Sequence, residues 1–193
     1  HATRRGAYWW PRSDVQDFEG FPAVAGAWVD GVDVVYLGAG GGTFTRALAE
    51  LLGPGSRVHA VDRDASAVTA LAAWAAPHAP HVTAMTADLS RALDLDALVG
   101  MPLDGIVIAN ALHFIRDAED VLALFAKSLR AGGRVVLVEY DQREASRWVP
   151  YPVPISRLRS LAAAAGLSPF TVTASRPSMY QGVMYAAHAD RAP

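Results

Sequence analysis

The sequence predicts an α/β fold, a doubly wound parallel sheet with helices on both faces, from three observations. From position 32 onward, short apolar runs alternate with segments that carry apolar residues at helical spacing. The first run ends in four glycines among residues 38–42, which is typical of a nucleotide-binding crossover. The second run ends in Asp62, about 20 residues further along, where such a fold places a ribose-binding carboxylate.

The glycine turn follows a β-branched run at 32–37 and precedes a helical pattern at 43–52. Glycine lets the backbone turn tightly and lets a ligand approach it closely. The N–H groups that open the helix, at the positive end of its dipole, suit an acidic or carboxylate-bearing ligand. Glycine-rich loops also occur without a ligand, so the turn indicates a nucleotide site only together with the strand before it and the helix after it.

The second strand is predicted at 57–61 and the helix after it at 64–75. Asp62 and Asp64 are both suited to cap that helix, because aspartate accepts hydrogen bonds from the first N–H groups of a helix. Asp64 is the better cap, since the helical run starts at Ala65. We therefore expect Asp62 to be available to a ligand.

The alternation of strands and helices continues to position 139. The remaining strands of this part are expected at 81–86, 103–109 and 133–139, and the remaining helices at 91–99 and 117–130. Gly132 and Gly133 predict a C-terminal cap for the last of these helices and a tight turn into the fifth strand.

Beyond position 140 the pattern changes. The prolines at 148–154 exclude a central strand there, because proline lacks a backbone donor. A helix that stops at a glycine is predicted at 156–166. Two closing strands are predicted at 170–174 and 183–187.

An N-terminal segment at 1–31 precedes the core at 32–187, and we expect a single domain over 1–193. The segment carries six aromatic residues among prolines and glycines: Tyr8, Trp9, Trp10, Phe18, Phe21 and Trp28. It is interpreted either as an arm that these rings anchor on the domain or as a lid over the pocket. Anchoring is the favoured interpretation, because aromatic side chains mostly pack.

Composition bounds the classes of function. The 193 residues are 52% hydrophobic, which suffices for a sizeable core and argues against disorder. A formal net charge of −2 and a single lysine, Lys127, favour a small-molecule partner and no nucleic acid. The absence of cysteine excludes disulfides, thiolate metal sites and cysteine nucleophiles. The apolar runs are too short for a bilayer, so we expect a cytoplasmic protein without a membrane partner, and a homodimer is left open.

Four segments occur in the order and at the distances that are usual in one family. They are residues 38–42 (GAGGG), 61–63 (VDR), 86–89 (TADL) and 104–113 (DGIVIANALH). Together they resemble the class I S-adenosylmethionine-dependent methyltransferases, and the likeness extends over most of the chain. A dinucleotide-dependent dehydrogenase would carry glycine where this chain has Thr43.

The resemblance implies a Rossmann-like, seven-stranded sheet that is mostly parallel, with an antiparallel last strand between its neighbours. It implies S-adenosylmethionine as the cofactor, S-adenosylhomocysteine as the product, and in-line transfer of a methyl group to a small-molecule acceptor. The glycine turn is then expected to cradle the methionine part and the ribose. Asp62 is expected on the ribose hydroxyls and Asp88 on the adenine amino group, although Asp88 is also suited to cap a helix near 91. The expected cofactor-binding residues are Tyr36, Gly38, Ala39, Gly40, Gly42, Asp62, Arg63, Asp88, Leu89 and Asn110.

Catalytic candidates follow strands four and five. His113 lies beside the point of methyl transfer that the resemblance implies, and an imidazole that titrates near neutral pH suits a general base. The alternative is that His113 only orients the substrate or packs behind Phe114. Tyr140, in the polar cluster 139–143 that we expect to face the acceptor, is the second candidate. The segment 148–152 is interpreted either as an apolar wall of the pocket or as a surface loop.

Three other histidines are candidates for different environments. His59 is expected in the core, whereas His78 and His81 flank a proline and are expected in an exposed loop. No carboxylate or third histidine clusters with them in sequence, so no metal site is expected.

Tyr36 departs from the resemblance. Many members of the family carry an acid at this position, which helps to hold the ammonium group of the cofactor, whereas tyrosine is uncharged at neutral pH. The departure favours a second interpretation, a non-catalytic module that binds the cofactor, its demethylated product or a partner protein on a methyltransferase-like scaffold. A nicotinamide oxidoreductase is the third interpretation, which Thr43 disfavours.

Overall fold

The computed structural model describes residues 28, 31–90, 93–100, 102–178 and 182–193. The strands are β1 (Asp33–Leu37), β2 (Arg57–Asp62), β3 (Val82–Thr86), β4 (Leu103–Ala109), β5 (Leu129–Asp141), β6 (Thr171–Pro177) and β7 (Val183–Asp190). They form one sheet in the order β3-β2-β1-β4-β5-β7-β6. Strand β7 is antiparallel to both of its neighbours, and the other pairs are parallel. The predicted mostly parallel sheet with an antiparallel last strand is confirmed.

Helices cover both faces of this sheet. They are α1 (Thr43–Leu52), α2 (Ala65–His78), α3 (Leu95–Val99), α4 (Ala118–Ala126) and α5 (Leu158–Ala165). Alternate residues of a strand point to opposite faces, so Val34 joins the core under α1 and α2, and Val35 joins the core under α4 and α5. None of the helices in the described part of the chain has the length and apolar character that a bilayer crossing requires.

Helix α4 ends, and strand β5 begins, before the predicted boundaries, so the predicted helix at 117–130 is wrong at its C-terminal end. Gly132 has a φ of 68° and lies where the register between β4 and β5 shifts. It therefore belongs to a bulge inside β5 and not to a helix cap. The guanidinium of Arg191 donates to the carbonyl oxygens of Lys127 (2.8 Å) and Leu129, and so binds acceptors just beyond the end of the helix.

Caps explain where two other helices begin. Helix α2 starts after Asp64, whose carboxylate accepts hydrogen bonds from the N–H groups of Ser66 and Ala67, as predicted. Helix α3 starts at Leu95 and is capped in the same way by Asp94. The helix predicted at 91–99 is therefore shorter at its start, and its first two positions lie outside the described residues.

Of the six aromatic residues in the N-terminal segment, Trp28 is described and the other five lie outside the described residues. Trp28 is buried and packs on β4 at Gly105, where a Cβ atom would overlap the indole ring. At this residue the segment is anchored in the core.

Candidate functional site

The glycine turn joins three adjacent strand ends. The N–H groups of Gly38 and Ala39 both donate to the carbonyl oxygen of Val61, at 2.8 and 3.0 Å, which fastens the end of β1 to the end of β2. Gly38 has a φ of 84°, and a Cβ atom there would overlap the methyl group of Ala111, which follows β4. Only glycine satisfies both the backbone conformation and the close approach.

The other residues of the turn divide into two roles. Gly42 has a φ of 81° and packs against Leu71, where a Cβ atom would lie 2.5 Å from Cδ1. Ala39 is buried beside it. Gly40 and Gly41 have open space where a Cβ atom would project, and both line a cavity. Gly42 and Ala39 therefore pack against the core, whereas the backbone of Gly40 and Gly41 faces the cavity.

The cavity has a volume of about 420 Å³ and opens at the carboxyl ends of β1 to β4. Its size lies within the range of small-molecule sites, and open α/β sheets bind ligands at this edge. The predicted residues on its wall are Gly38, Gly40, Asp62, Arg63, Asp88, Leu89 and Asn110. The further lining residues are Gly41, Asp64, Ala67, Ser90, Ala111, Phe114 and Ile115. Tyr36, Ala39 and Gly42, which were also predicted, are not among the lining residues.

Asp62 stands at the end of β2 and is already engaged by the backbone. One carboxylate oxygen accepts from the N–H of Gly40 at 2.7 Å, and the other accepts from the N–H of Asp64 at 2.9 Å. The expectation that Asp62 is left wholly to a ligand is thus corrected. A carboxylate has about four lone-pair sites, so each oxygen retains the capacity for a second donor.

Asp88 and Leu89 follow β3, the neighbour of β2 at the edge of the sheet. The carboxylate of Asp88 accepts from the backbone N–H of Ser90 at 3.0 Å and from its hydroxyl at 2.7 Å. Because α3 begins at Leu95 with its own cap, Asp88 does not cap that helix. The carboxylate and the apolar side chain of Leu89 therefore meet the cavity together.

Asn110 follows β4 in a left-handed backbone conformation with a φ of 52°, which is uncommon for residues other than glycine. Its N–H donates to the carbonyl oxygen of Val138 at 2.8 Å, which holds it in register with β5. Its Oδ1 atom is buried without a hydrogen-bond partner, although the residue lines the cavity. A buried acceptor without a donor destabilises the fold, and a turn of the side chain toward the cavity would let Oδ1 receive a donor from a ligand.

His113 is buried beside Glu139 of β5, which has no exposed surface. One carboxylate oxygen accepts from the N–H groups of Leu112 and His113, at 2.9 and 3.2 Å. The other lies 2.7 Å from His113 Nδ1. Because the carboxylate acts as the acceptor, Nδ1 carries a proton and Nε2 is left as the basic nitrogen. Sequence patterns did not reveal this pair, since its two members are 26 residues apart on adjacent strand ends.

His113 does not itself line the cavity. Its ring lies behind that of Phe114, at 4.4 Å between centroids, and Phe114 is 43% exposed. The ring of Tyr140 approaches His113 from another side, at 5.9 Å, and is also not among the lining residues. The polar cluster at 139–143 was expected to face the acceptor, but its first member, Glu139, is directed into the core.

The segment 148–152 does not contribute to the cavity wall. The N–H of Tyr151 donates to the carbonyl oxygen of His113 at 3.0 Å, and its hydroxyl accepts from Arg116 Nε at 3.3 Å. Trp148 is 64% exposed and Val149 is buried. The segment is thus a surface loop that docks on the turn after β4, as the second of the two interpretations had it.

Tyr36 is buried on the face of the sheet that α1 covers, edge-on to Phe44 at 6.1 Å. Burial raises the pKa of Tyr36 well above its ordinary value, and the negative charges of Asp62 and Glu139 raise it further. Tyr36 is therefore neutral and supplies no counter-charge to a cationic ligand.

The other predicted histidines lie away from the cavity. His59 Nε2 is 2.7 Å from Asp33 Oδ1, near the start of β1. His78 forms the last residue of α2 and stacks on Trp74, and His81 is partly buried with Nε2 3.2 Å from the carbonyl oxygen of Ala49. His78 and His81 thus do not share an exposed loop. Within the described ranges, no group of three metal-binding side chains occurs.

A family comparison decides the class of protein to which this site belongs. Residues 35–135, more than half of the chain, match the family described as a methyltransferase domain. The chain belongs to the class I S-adenosylmethionine-dependent methyltransferases. Membership confirms the predicted family and its cofactor, S-adenosylmethionine. Seven of the ten residues that the resemblance implied for the cofactor line the cavity. Comparison with curated proteins finds no match to the sequence.

Solved methyltransferase structures share the fold at low sequence identity. A methyltransferase from Aquifex aeolicus, described as dependent on S-adenosylmethionine, superposes with a TM-score of 0.70 at 14% identity, covering 93% of each chain. The CurJ carbon methyltransferase has a TM-score of 0.70 at 19% identity over 85% of this chain and 49% of its own. The DszA carbon methyltransferase has a TM-score of 0.67 at 17% identity over 84% and 47%. The chain spans about half the length of these two carbon methyltransferase structures.

Gly41 is one of the seven cavity-lining residues that the sequence prediction omitted from its cofactor set. It stands among the four glycines, so composition does not separate it from its neighbours. A Cβ atom at Gly41 would project into open space at the cavity, whereas one at Gly42 would meet Leu71. The different surroundings of adjacent glycines become visible only when α2 is packed against the turn.

Proposed function

We propose that this methyltransferase transfers the methyl group of S-adenosylmethionine to a small-molecule acceptor whose proton passes to His113. One observation carries the proposal. The cavity is lined by the glycine turn, Asp62, Asp88 and Asn110, whose Oδ1 is unpaired. The ring of Phe114 separates this cavity from the imidazole of His113, which the buried carboxylate of Glu139 orients.

The residues on the cavity wall fit the cofactor. The cofactor, when bound, supplies an electrophilic methyl group. Asp62 would accept from the ribose hydroxyls while it continues to hold the turn, and Asp88 would accept from the adenine amino group, with Leu89 against the ring. Oδ1 of Asn110 would accept a donor from the methionine part, which would satisfy the acceptor that the protein leaves unpaired.

His113 is suited to a general base by its hydrogen bonds. Because the Nδ1–H group of His113 donates a hydrogen bond to Glu139, Nε2 is the nitrogen that can accept a proton from the methyl acceptor. The imidazolium that results would be stabilised by the same carboxylate. The exposed ring of Phe114 separates His113 from the cavity, so an acceptor reaches Nε2 when this ring turns aside.

The first experiment measures binding of S-adenosylhomocysteine by calorimetry, followed by methyl transfer to a panel of oxygen, nitrogen and carbon acids. For His113→Ala we expect unchanged affinity for S-adenosylhomocysteine and a turnover lower by about 10²–10⁴, the range of general acid–base catalysis. The loss should shrink at high pH for an acceptor that ionises by itself. Turnover that survives with its pH dependence intact would remove His113 as the base, and Tyr140 would become the next residue to test.

A non-catalytic cofactor-binding module is the second candidate, and the neutral Tyr36 favours it. Such a module would bind S-adenosylhomocysteine as tightly as S-adenosylmethionine and would transfer no methyl group to any member of the panel. Detection of a methylated product that disappears in His113→Ala would exclude this candidate.

A further inference from the structure

Eight arginines in the described ranges fall into two groups by their partners. Several form ion pairs with carboxylates, as Arg57 does with Asp33, Arg130 with Asp104, Arg134 with Asp190 and Arg157 with Glu119. Others lie over aromatic rings instead: Arg63 over Phe114, Arg116 over Tyr151, Arg143 over Tyr140 and Arg147 over Trp148. In the part of the chain that the structure describes, none of these four stacked arginines forms an ion pair.

Two of the stacked arginines are one aromatic residue away from His113. Arg143 lies 4.7 Å from the ring centre of Tyr140, which is 5.9 Å from the ring of His113. Arg116 lies 5.5 Å from the ring centre of Tyr151, whose N–H donates to the carbonyl oxygen of His113. Stacking orients a guanidinium and leaves edge N–H groups to an anion. In Arg116 these are the two NH₂ groups, because its Nε donates to the hydroxyl of Tyr151.

The acids around His113 form no ion pair with these two arginines in the described ranges, although the negative charge of Asp117 acts on Arg116. Glu139 is occupied by three N–H groups in the core, and Asp141 accepts from the N–H of Ile155 at 3.0 Å. Asp117 and Glu144 adjoin the two arginines in sequence, but neither is ion-paired with them in the described ranges. Two arginines without an ion pair in the described ranges thus lie one aromatic residue away from His113, on a protein whose net charge is −2.

From this arrangement we propose that the methyl acceptor carries an anionic group, a phosphate or a carboxylate, which Arg116 and Arg143 bind beside His113. Arginine binds both anions through paired, charge-assisted hydrogen bonds. Such binding would hold the acceptor beside His113 and orient its reactive atom toward the methyl donor. The proposal rests on the proposed function, since it names the chemical class of the acceptor for the same site.

The test titrates the protein, saturated with S-adenosylhomocysteine, with pyrophosphate and separately with malonate at low ionic strength. Proton NMR follows the imidazole signal of His113, which is assigned by its absence from His113→Gln. The wild-type protein should bind at least one of the anions saturably. Arg116→Gln and Arg143→Gln should each weaken binding by about tenfold, near the lower limit for one hydrogen bond to a charged group.

The matched control is Arg147→Gln, which removes the same charge from the loop that also carries Arg143. Its stacking partner, Trp148, makes no ring contact with His113 within the described residues, so anion binding should be retained. Melting curves of all three variants verify that each is folded. Equal weakening in the control and in the two test variants would trace binding to net charge alone and would overturn the proposal.

The two anions and the cofactor product separate the remaining outcomes. Stronger binding of pyrophosphate assigns a phosphate-bearing acceptor, and stronger binding of malonate assigns a carboxylate-bearing one. A protein that binds S-adenosylhomocysteine but neither anion refutes the anionic acceptor and leaves the proposed function standing. A protein that does not bind S-adenosylhomocysteine refutes the proposed function, whatever the anions do.

Discussion

Glu139→Gln leaves the shape of the buried Glu139–His113 pair nearly unchanged but reverses one of its hydrogen bonds. The glutamine carbonyl oxygen still accepts from the N–H groups of Leu112 and His113, but an NH₂ group takes the place of the oxygen that lies 2.7 Å from His113 Nδ1. Since NH₂ only donates, Nδ1 must lose its proton and Nε2 must carry it. The reversed amide would leave two backbone N–H groups unpaired, at about 1–3 kcal/mol each, so the flipped tautomer is expected.

The consequences for catalysis and for stability differ in size. With its proton on Nε2, His113 accepts no proton from the acceptor, so turnover should fall by about 10²–10⁴ if it is the base. The free energy of unfolding should fall by about 1–1.5 kcal/mol, the difference between a hydrogen bond to a charged group and a neutral one. Affinity for S-adenosylhomocysteine should be unchanged, since Glu139 does not line the cavity.

Nitrogen-15 NMR of the imidazole reads the tautomer without any acceptor, and labelled S-adenosylmethionine reads turnover once an acceptor is known. Glu139→Ala is the matched control for stability, because it leaves the N–H groups of Leu112 and His113 unpaired and should destabilise the protein more than Glu139→Gln. A glutamine variant that retained the wild-type tautomer, or the wild-type turnover, would refute the reasoning.

Three further changes test other parts of the molecule. Asp62→Asn should weaken S-adenosylhomocysteine binding by about 1.5–3 kcal/mol in calorimetry, because one amide oxygen must accept from both the N–H of Gly40 and the ribose. Unchanged affinity would remove Asp62 from the site. Tyr36→Asp should lower the free energy of unfolding by about 3–5 kcal/mol, because it opens a cavity and buries a charge, whereas Tyr36→Phe should melt near the wild type; equal melting of both would contradict this. Hydrogen bonds from Arg157 lower the pKa of Glu119 from 4.5 to about 2, so their stabilisation is complete above pH 4.5 and is lost as the pH falls toward 2. Arg157→Gln should therefore lower the free energy of unfolding by about 1 kcal/mol above pH 4.5 and should leave it unchanged below about pH 2. Urea unfolding measured across this range would show no such difference if the ion pair contributed nothing.

The acid that many members of the family carry at position 36 would meet a different environment in this protein. From the sequence alone, Tyr36 is a missing counter-charge. In the folded protein it is a buried ring beside Phe44, within the field of Asp62 and Glu139. An acid placed there would meet like charges and no water, so its main effect should be a lower free energy of unfolding.

Local patterns in the sequence determined the alternation of strands and helices, the glycine turn and the acid after β2. Each of these depends on residues that are close along the chain, such as the cap that Asp64 provides for α2. These segments suffice to predict the family, the cofactor and seven residues of the cavity wall.

The tertiary structure alone decided which polar groups meet across strand ends. Arg191 binds carbonyl groups at the end of α4 from 64 residues away, and the boundary between α4 and β5 therefore departs from its local signal. Glu139 reaches His113 only because β4 and β5 are neighbours, and Asn110 Nδ2 meets the sulfur of Met184 only because β7 pairs with β5. Such contacts follow from the order of strands in the sheet, a long-range property that no local period or turn preference encodes.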